Sequence, residues 1–391
     1  MKARVLAARA NLTPETIRDI NMHYTTGALP MRREMEIAGV VHFGCELIRR
    51  EESNFPIQVR LSAWRWLQNY VIIDDLDNPL EVGMGSPIQV CQGLNALPLA
   101  AMELKRSMSN PHIVNAVLSF VAWCAQDEAC IPELIKLGVH QVAIANINQG
   151  DSNLFLDQSM AVIRSLTSRE GETRQALIRD GALTCMLPFL RHLDEREVSE
   201  VHIRRGFRAG SVLLRLGENS ALAQQVIRGN PMLLKRTLDV LTQVLNVGPT
   251  ATVYNMGINP HLITMDLLAL AKEKENLALL TGGRVLPVLL HALDCRGDRN
   301  PQLVKDVCLL VDLLAPLDSR VRSEFLLQIY PRLAKLVHLQ ADDECKRVFT
   351  RMCDKYATPI TIEGGGGWRS VMQDTLKRLE SMLANEPCSQ F

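Results

Sequence analysis

The apolar positions of this chain follow a helical period over much of its length. The clearest case is the segment 182–193, where the spacing is i, i+3, i+4, i+7 and i+10. Its apolar residues are Leu183, Met186, Leu187, Leu190 and Leu193. This spacing places all five side chains on one side of an α-helix. The segment therefore predicts a helix with one buried face.

Two further helices are predicted immediately before this one. Residues 156–168 repeat the period at Met160, Ile163 and Leu166, and a polar break follows at 169–172. A short helix is predicted over 173–179. Gly181 is expected to end it, because the residue that closes a helix often takes a positive φ angle, which glycine adopts without strain. Three helices of unequal length thus form one predicted unit.

This unit recurs along the chain. A short phrase, in which an apolar pair and a glycine precede leucines and valines, returns at Gly39, Gly93, Gly138, Gly181, Gly229 and Gly283. The steps between these glycines are 54, 45, 43, 48 and 54 residues. A period in the forties is typical of helical solenoids, in which each unit buries its apolar face by stacking on its neighbours.

The stretch 174–190 closely resembles the armadillo consensus, in which a short helix, a Gly-Ala step and a leucine-rich helix follow one another. Weaker copies cover 35–70, 90–124, 131–166, 225–271 and 277–314, with a degenerate last unit at 324–356. The resemblance implies an all-α fold, a right-handed superhelical solenoid of about seven armadillo-like repeats. It is specific for the fold class and unspecific for function.

We expect one domain with four parts. They are an N-terminal helical arm at 1–30, the repeat array at 31–356, a glycine-rich joint at 357–367, and a C-terminal capping helix and tail at 368–391. The last helix would cover the final apolar layer, as solenoids require. A detachable helix that docks on another protein is the alternative.

Two loops lengthen the array, at 74–87 and 246–260. Loops of this length are often binding elements, although a tolerated surface insertion explains each as well. The second contains Tyr254 and Met256, two large side chains among glycines and prolines. These two residues make it the better candidate for partner binding.

Composition narrows the classes of partner. The 43 basic and 43 acidic residues balance, so no overall field attracts nucleic acid or an anionic membrane. No apolar run approaches the roughly 20 residues of a membrane helix.

Ten cysteines are scattered singly through apolar segments, as expected of buried thiols in a reducing compartment. We predict a cytoplasmic protein, while a basic start without an acid before Glu15 leaves organellar targeting open.

No catalytic motif is present in the sequence. It lacks the common hydrolase, metalloprotease and nucleotide-binding signatures. The nine histidines are scattered without metal-ligand spacing and without convincing cysteine neighbours. His42, His291 and His338 lie in leucine-rich helices and are predicted to be partly buried structural residues. We therefore predict no enzyme, and no catalytic, cofactor-binding or metal-binding residue.

The armadillo resemblance also implies a binding groove. Third helices line its concave face, and importin-like members place a Trp and an Asn four residues apart there to hold a peptide backbone. In the matching column of this chain, Asn69 is the one asparagine, and the tryptophan column four residues earlier has no tryptophan. The residues that carry nuclear-import function are thus missing.

A basic stripe is predicted in their place. Arg204, Arg208, Ser211 and Arg215 fall at i, i+4, i+7 and i+11, so they share one helical face. Guanidinium groups on such a ridge bind carboxylates or phosphates bidentately, and Arg65 would extend the stripe toward the first unit. A solvated helix face is the alternative.

Three tryptophans have two readings. Trp123 is either a groove anchor, since aromatic residues often dominate interface energy, or part of the core, and Trp64 and Trp66 face the same choice.

Together with the stripe, Trp123 points to a non-enzymatic scaffold or adaptor. Its partner would be a protein segment, extended or helical and acidic, bound in the concave groove. A fixed subunit of a large cytoskeletal, ciliary or organellar assembly is the alternative function.

Overall fold

The computed structural model describes most of the repeat array. The described residues are 2–25, 35, 38–50, 56–72, 87–151, 153–193, 199–217, 221–246, 260–272, 276, 280, 285–297, 300–314, 329, 332, 333, 336 and 346–351. The predicted joint and capping helix, the loop residues 74–86 and 247–259, and most of the predicted last unit lie outside them. Tyr254 and Met256 therefore remain predictions.

The described segments are helical, and they contain no strand. The α-helices are α1 (Lys2–Ala10), α2 (Pro14–Thr25), α3 (Val40–Arg49), α4 (Ile57–Ile72), α5 (Pro87–Gly93), α6 (Ala96–Arg106), α7 (Pro111–Cys124), α8 (Ile131–Lys136), α9 (Val139–Asn148), α10 (Leu156–Leu166), α11 (Glu172–Arg179), α12 (Ala182–Met186), α13 (Glu200–Leu216), α14 (Ala221–Arg228), α15 (Pro231–Asn246), α16 (Pro260–Ala271), α17 (Val285–Arg296) and α18 (Pro301–Leu314). A 3-10 helix, Leu187–Leu193, continues α12.

These helices form successive units with a short first, a longer second and a third helix. Units two to five comprise α5–α7, α8–α10, α11–α13 and α14–α16. The first unit contributes α3 and α4 as second and third helices, and the sixth contributes α17 and α18. The predicted three-helix unit is confirmed, and the fold is an all-α solenoid of armadillo-like units.

Stacking of the units produces two continuous rows. In the third-helix row, which we define as α4, α7, α10, α13, α16 and α18, each helix packs against the next. The second helices, from α3 to α17, form a parallel row. One apolar core runs between the rows. Because each layer buries its apolar face on its neighbours, the core extends along the solenoid axis.

In units one to four, the residue just before the second helix has a left-handed backbone conformation. Gly39, Gly138 and Gly181 adopt it with φ angles of 71°, 75° and 92°, as the recurring glycines predict. In the second unit the left-handed residue is Asn95, at a φ of 55°, and not Gly93. Asparagine tolerates this conformation better than other residues with a β-carbon.

Asn95→Ala should destabilise the second unit by about 1 kcal/mol, because alanine has no local hydrogen bond to offset the left-handed backbone. Asn95→Gly should leave stability unchanged or raise it. Urea unfolding followed by circular dichroism measures both changes. Equal stability of the two variants would contradict the assignment of Asn95 to this turn.

The first two helices pack against the first unit. The Trp66 indole Nε1 donates to Asn21 Oδ1 at 2.7 Å, and Arg9 forms an ion pair with Glu46 on α3. Trp66 also stacks on Phe43, and Trp64 packs against Phe120. Both tryptophans are buried, so they belong to the core.

Two other expectations have mixed outcomes. Six of the seven cysteines in the described ranges are buried, as predicted for small apolar side chains, and Cys295 is half-buried. His291 is partly buried as expected, whereas His42 is exposed on α3.

Candidate interaction surface

The predicted stripe on α13 faces the neighbouring third helices. Arg204 and Arg208 contact Asp157 at the start of α10. Ser211 and Arg215 contact Asp266 on α16. All four side chains therefore have partners within this chain.

Arg215 lies inside the protein, where its side chain is 1% exposed. Its Nε donates to Asp266 Oδ1 at 2.6 Å, and its two terminal nitrogens donate to the carbonyl oxygens of Arg164 and Leu262. The sequence indicates an accessible stripe, and at Arg208, Ser211 and Arg215, which are all buried, this is wrong. The reason is that α10 and α16 close over α13 and supply these internal acceptors.

Arg164 on α10 belongs to the same buried network. Its Nη2 lies 3.4 Å from Asp266 Oδ2 and from the Leu262 carbonyl oxygen, and its Nε donates to Ser211 Oγ at 3.0 Å. Burial lowers the pKa of Arg164 to about 10, an effect that the Asp266 charge opposes. Arg164 and Arg215 together thus share one carboxylate.

A second, more accessible cluster lies at the beginning of α10 and α13. Asp157 receives Arg204 Nε at 3.0 Å and Arg205 Nη2 at 3.1 Å, and Arg208 Nη1 lies 3.6 Å away. Burial raises the pKa of Asp157, but the bonds from Arg204 and Arg205 outweigh it, and the pKa falls below its ordinary value. Burial lowers the pKa of Arg208 to about 9.

This cluster extends to the surface through Asp151. Arg191 and Arg205 bind its two carboxylate oxygens at 2.5 Å and 3.0 Å, and the Arg191 side chain is 59% exposed. We call Arg191, Arg204, Arg205, Arg208, Asp151 and Asp157 the basic cluster. Within this set, four guanidinium groups surround two carboxylates, and Arg191 carries the cluster to the surface.

Exposed apolar side chains mark the same edge of the solenoid. The described ranges contain seven large exposed apolar residues, of which four lie at or just before the start of a third helix. These four are Ile57, Met108, Leu154 and Val201. Single exposed apolar residues are normal, but these recur once in each of four successive units.

Hydrogen bonds link the segments that carry two neighbouring pairs of this set. Arg60 on α4 donates to Ser107 just before Met108. Arg205 on α13 binds Asp151 just before Leu154. We call Ile57, Met108, Leu154 and Val201 the apolar edge, and it meets the basic cluster at Leu154 and Val201.

The remaining predicted site residues are distributed along the third-helix row. Arg65 on α4 is exposed, and Asn69 on the same helix is half-buried. Trp123 on α7 is half-buried and packs against the core. The structure does not bring these residues into the basic cluster.

Two kinds of site are not found in the described part of the chain. No group of three His, Cys, Asp or Glu side chains there is placed to hold a metal ion. None of its helices is long and apolar enough to cross a bilayer.

The comparisons with known proteins concern the fold. No family model and no curated protein matches this chain. Solved structures that are similar to it include designed armadillo repeat protein YIII(Dq)4CqI, with 16% identity, a TM-score of 0.39, and coverage of 69% of this chain and 98% of that one. Another is designed armadillo repeat protein YIII(Dq.V1)4CPAF in complex with peptide (KR)4, with 15% identity, a TM-score of 0.37 and the same coverage.

A third is described as computationally designed armadillo repeat proteins for modular peptide recognition, with 17% identity and a TM-score of 0.38. The matched region covers 69% of this chain and 98% of that chain. Such distant similarity carries no argument about what this chain binds.

Sequence reasoning missed the acidic partners of the stripe. Asp157 lies in the first turn of α10, where acidic residues are common, and Asp266 interrupts the leucine-rich α16. A charged residue within an apolar helical segment is a usable signal, because buried carboxylates require a cationic or hydrogen-bonding partner. The position of the carboxylate in the sequence does not indicate which arginine is its partner.

Proposed function

We propose that this protein is a non-catalytic interaction scaffold. A partner segment would lie across the starts of the third helices, with acidic side chains at the basic cluster and apolar side chains on the apolar edge. The observation that carries this proposal is the exposure of the Arg191 side chain at an edge that also exposes large apolar side chains. Arginine and large apolar residues are typical anchors of protein interfaces.

The spacing of the helices suits a regular partner. Packed helices lie about 8–10 Å apart, so apolar positions recur along the edge at about that distance. A helical partner advances about 10.5 Å in seven residues, and an extended partner covers a similar distance in three. Either form would present one apolar side chain to each unit.

The test is capture of partners by the tagged full chain from its own cells. Leu154→Glu with Arg191→Glu should abolish capture of an acidic partner, because both side chains are exposed and the new charges repel it. Stability should be unchanged at these surface positions. High salt should weaken the wild-type interaction. The measurement is quantitative mass spectrometry of the bound proteins at low and high salt.

Ile178→Glu with Arg179→Glu is the matched control. Ile178 and Arg179 are a second exposed apolar and arginine pair, at the end of the first helix α11. This control should retain the partner. Equal capture by both double variants would contradict binding at the edge.

A fixed structural subunit is the second candidate function, because exposed apolar side chains such as those of the apolar edge are also typical of permanent interfaces. In that case a salt-resistant set of stoichiometric proteins would remain bound. The same purification therefore separates the two functions.

A further inference from the structure

Cys295, on α17 of the second-helix row, has surroundings unlike those of the other described cysteines. Burial raises the pKa of Cys45 to about 11 and those of Cys130 and Cys185 to about 12. Burial also raises the pKa of Cys124 well above its ordinary value. These four thiols are poor nucleophiles, because the thiolate is the reactive form.

A histidine contacts the Cys295 sulfur. Cys295 Sγ lies 3.4 Å from His291 Nδ1 and 3.7 Å from Nε2. Because the sulfur is nearly equidistant from both nitrogens, it faces the flat side of the ring. The contact is therefore chiefly one of charge, in which an imidazolium stabilises an adjacent thiolate.

A third side chain orients this histidine. His291 Nε2 lies 2.8 Å from Asn246 Oδ1, at the end of α15. An amide oxygen only accepts hydrogen bonds, so Nε2 carries the proton that it donates. Asn246 thereby holds the ring in the orientation in which its flat side faces the Cys295 sulfur. A nucleophile, a neighbouring imidazole and a group that orients it are thus present together.

Other charges lie near the sulfur in addition to His291. The C-terminal end of α17 disfavours an anion. Asp294 is a neighbouring carboxylate, and Arg332 binds it at 2.6 Å. A histidine favours an adjacent thiolate when it is protonated, so removal of His291 should have a measurable effect.

We propose that Cys295 is a modification site, a nucleophilic thiol assisted by His291 that forms mixed disulfides with small-molecule disulfides. The Cys295 thiolate attacks one sulfur of the disulfide, and the new S–S bond forms as the old one breaks. The second sulfur leaves as a thiolate and takes up, from water, the proton that the Cys295 thiol released. The products are a mixed disulfide on Cys295 and one free small thiol, so the small disulfide is the only oxidant required.

The experiment treats the reduced full chain with glutathione disulfide at pH 7 and follows each cysteine by peptide mass mapping. In the wild type, Cys295 should react faster than the six buried cysteines and at least roughly threefold faster than free cysteine, a modest gain because nucleophilicity falls as thiolate population rises. His291→Gln should remove that gain. Cys295→Ser should remove the adduct.

Asn246 is a positioning residue, and two variants test it. Asn246→Leu should slow the reaction as His291→Gln does, whereas Asn246→Asp keeps an acceptor oxygen and should retain the wild-type rate. Protection of buried Cys308 in every variant shows that the fold is intact. Reaction of Cys295 no faster than free cysteine, or equal rates in wild type and His291→Gln, would overturn the proposal. Either result leaves the scaffold function untouched.

Discussion

Asp266→Ala should destabilise the protein by about 3–5 kcal/mol, the cost of leaving buried charge without its partner. Asp266 is nearly fully buried, and it binds Arg164, Ser211 and Arg215 from two other helices. Its removal leaves two buried guanidinium groups without a carboxylate. The free energy of unfolding, from urea titration followed by circular dichroism, measures the loss.

Asp294→Ala is the control for this experiment. Asp294 forms an ion pair with Arg332 in which both side chains are about half exposed, and exposed pairs contribute about 0–1 kcal/mol. If the two alanine variants had similar stability, the buried network would not be the structural element that we describe.

Trp66→Ala should cost about 3–5 kcal/mol, as expected when a large buried aromatic side chain is truncated. The change removes the stacking on Phe43 and the hydrogen bond to Asn21. Trp66→Phe keeps most of the apolar area and loses the N–H donor, so it should cost about 1 kcal/mol. Thermal and urea unfolding of both variants test this order.

Trp123→Ala is the matched change at a half-buried tryptophan. It should destabilise the protein less than Trp66→Ala, because less apolar area is lost. A larger loss of stability in Trp123→Ala than in Trp66→Ala would show that Trp123 is the more important of the two in the core. Loss of a partner by Trp123→Ala without loss of stability would instead support the groove-anchor role.

Local patterns predict much of the fold. The spacing of leucines predicts the helices of unit four, and the recurring glycines mark three of the left-handed turns. Asn95 is less visible, because asparagine is common in many other contexts. Periodicity reports which side of a helix is apolar, and that information suffices for the layers of a solenoid.

The basic stripe shows where such patterns fail. Helical spacing correctly groups Arg204, Arg208 and Arg215, but it does not report what covers the face. The covering carboxylate, Asp266, lies 51 residues from Arg215 in sequence, and its position depends on the path of the whole stack. The i, i+4 spacing of His291 and Cys295 is visible in the sequence, so the expectation that no histidine has a convincing cysteine neighbour is wrong at His291. Asn246, in contrast, lies 45 residues from His291.

The link between α10 and α16 changes how this solenoid should respond to force. In most repeat proteins each unit contacts only its immediate neighbours, so an array under tension lengthens evenly along its axis. Here Arg164 reaches Asp266 across α13, and Lys272 binds Glu170 at 2.8 Å, so units three and five are joined directly. We expect a stiff middle segment with more compliant ends, and elongation under tension would begin outside it.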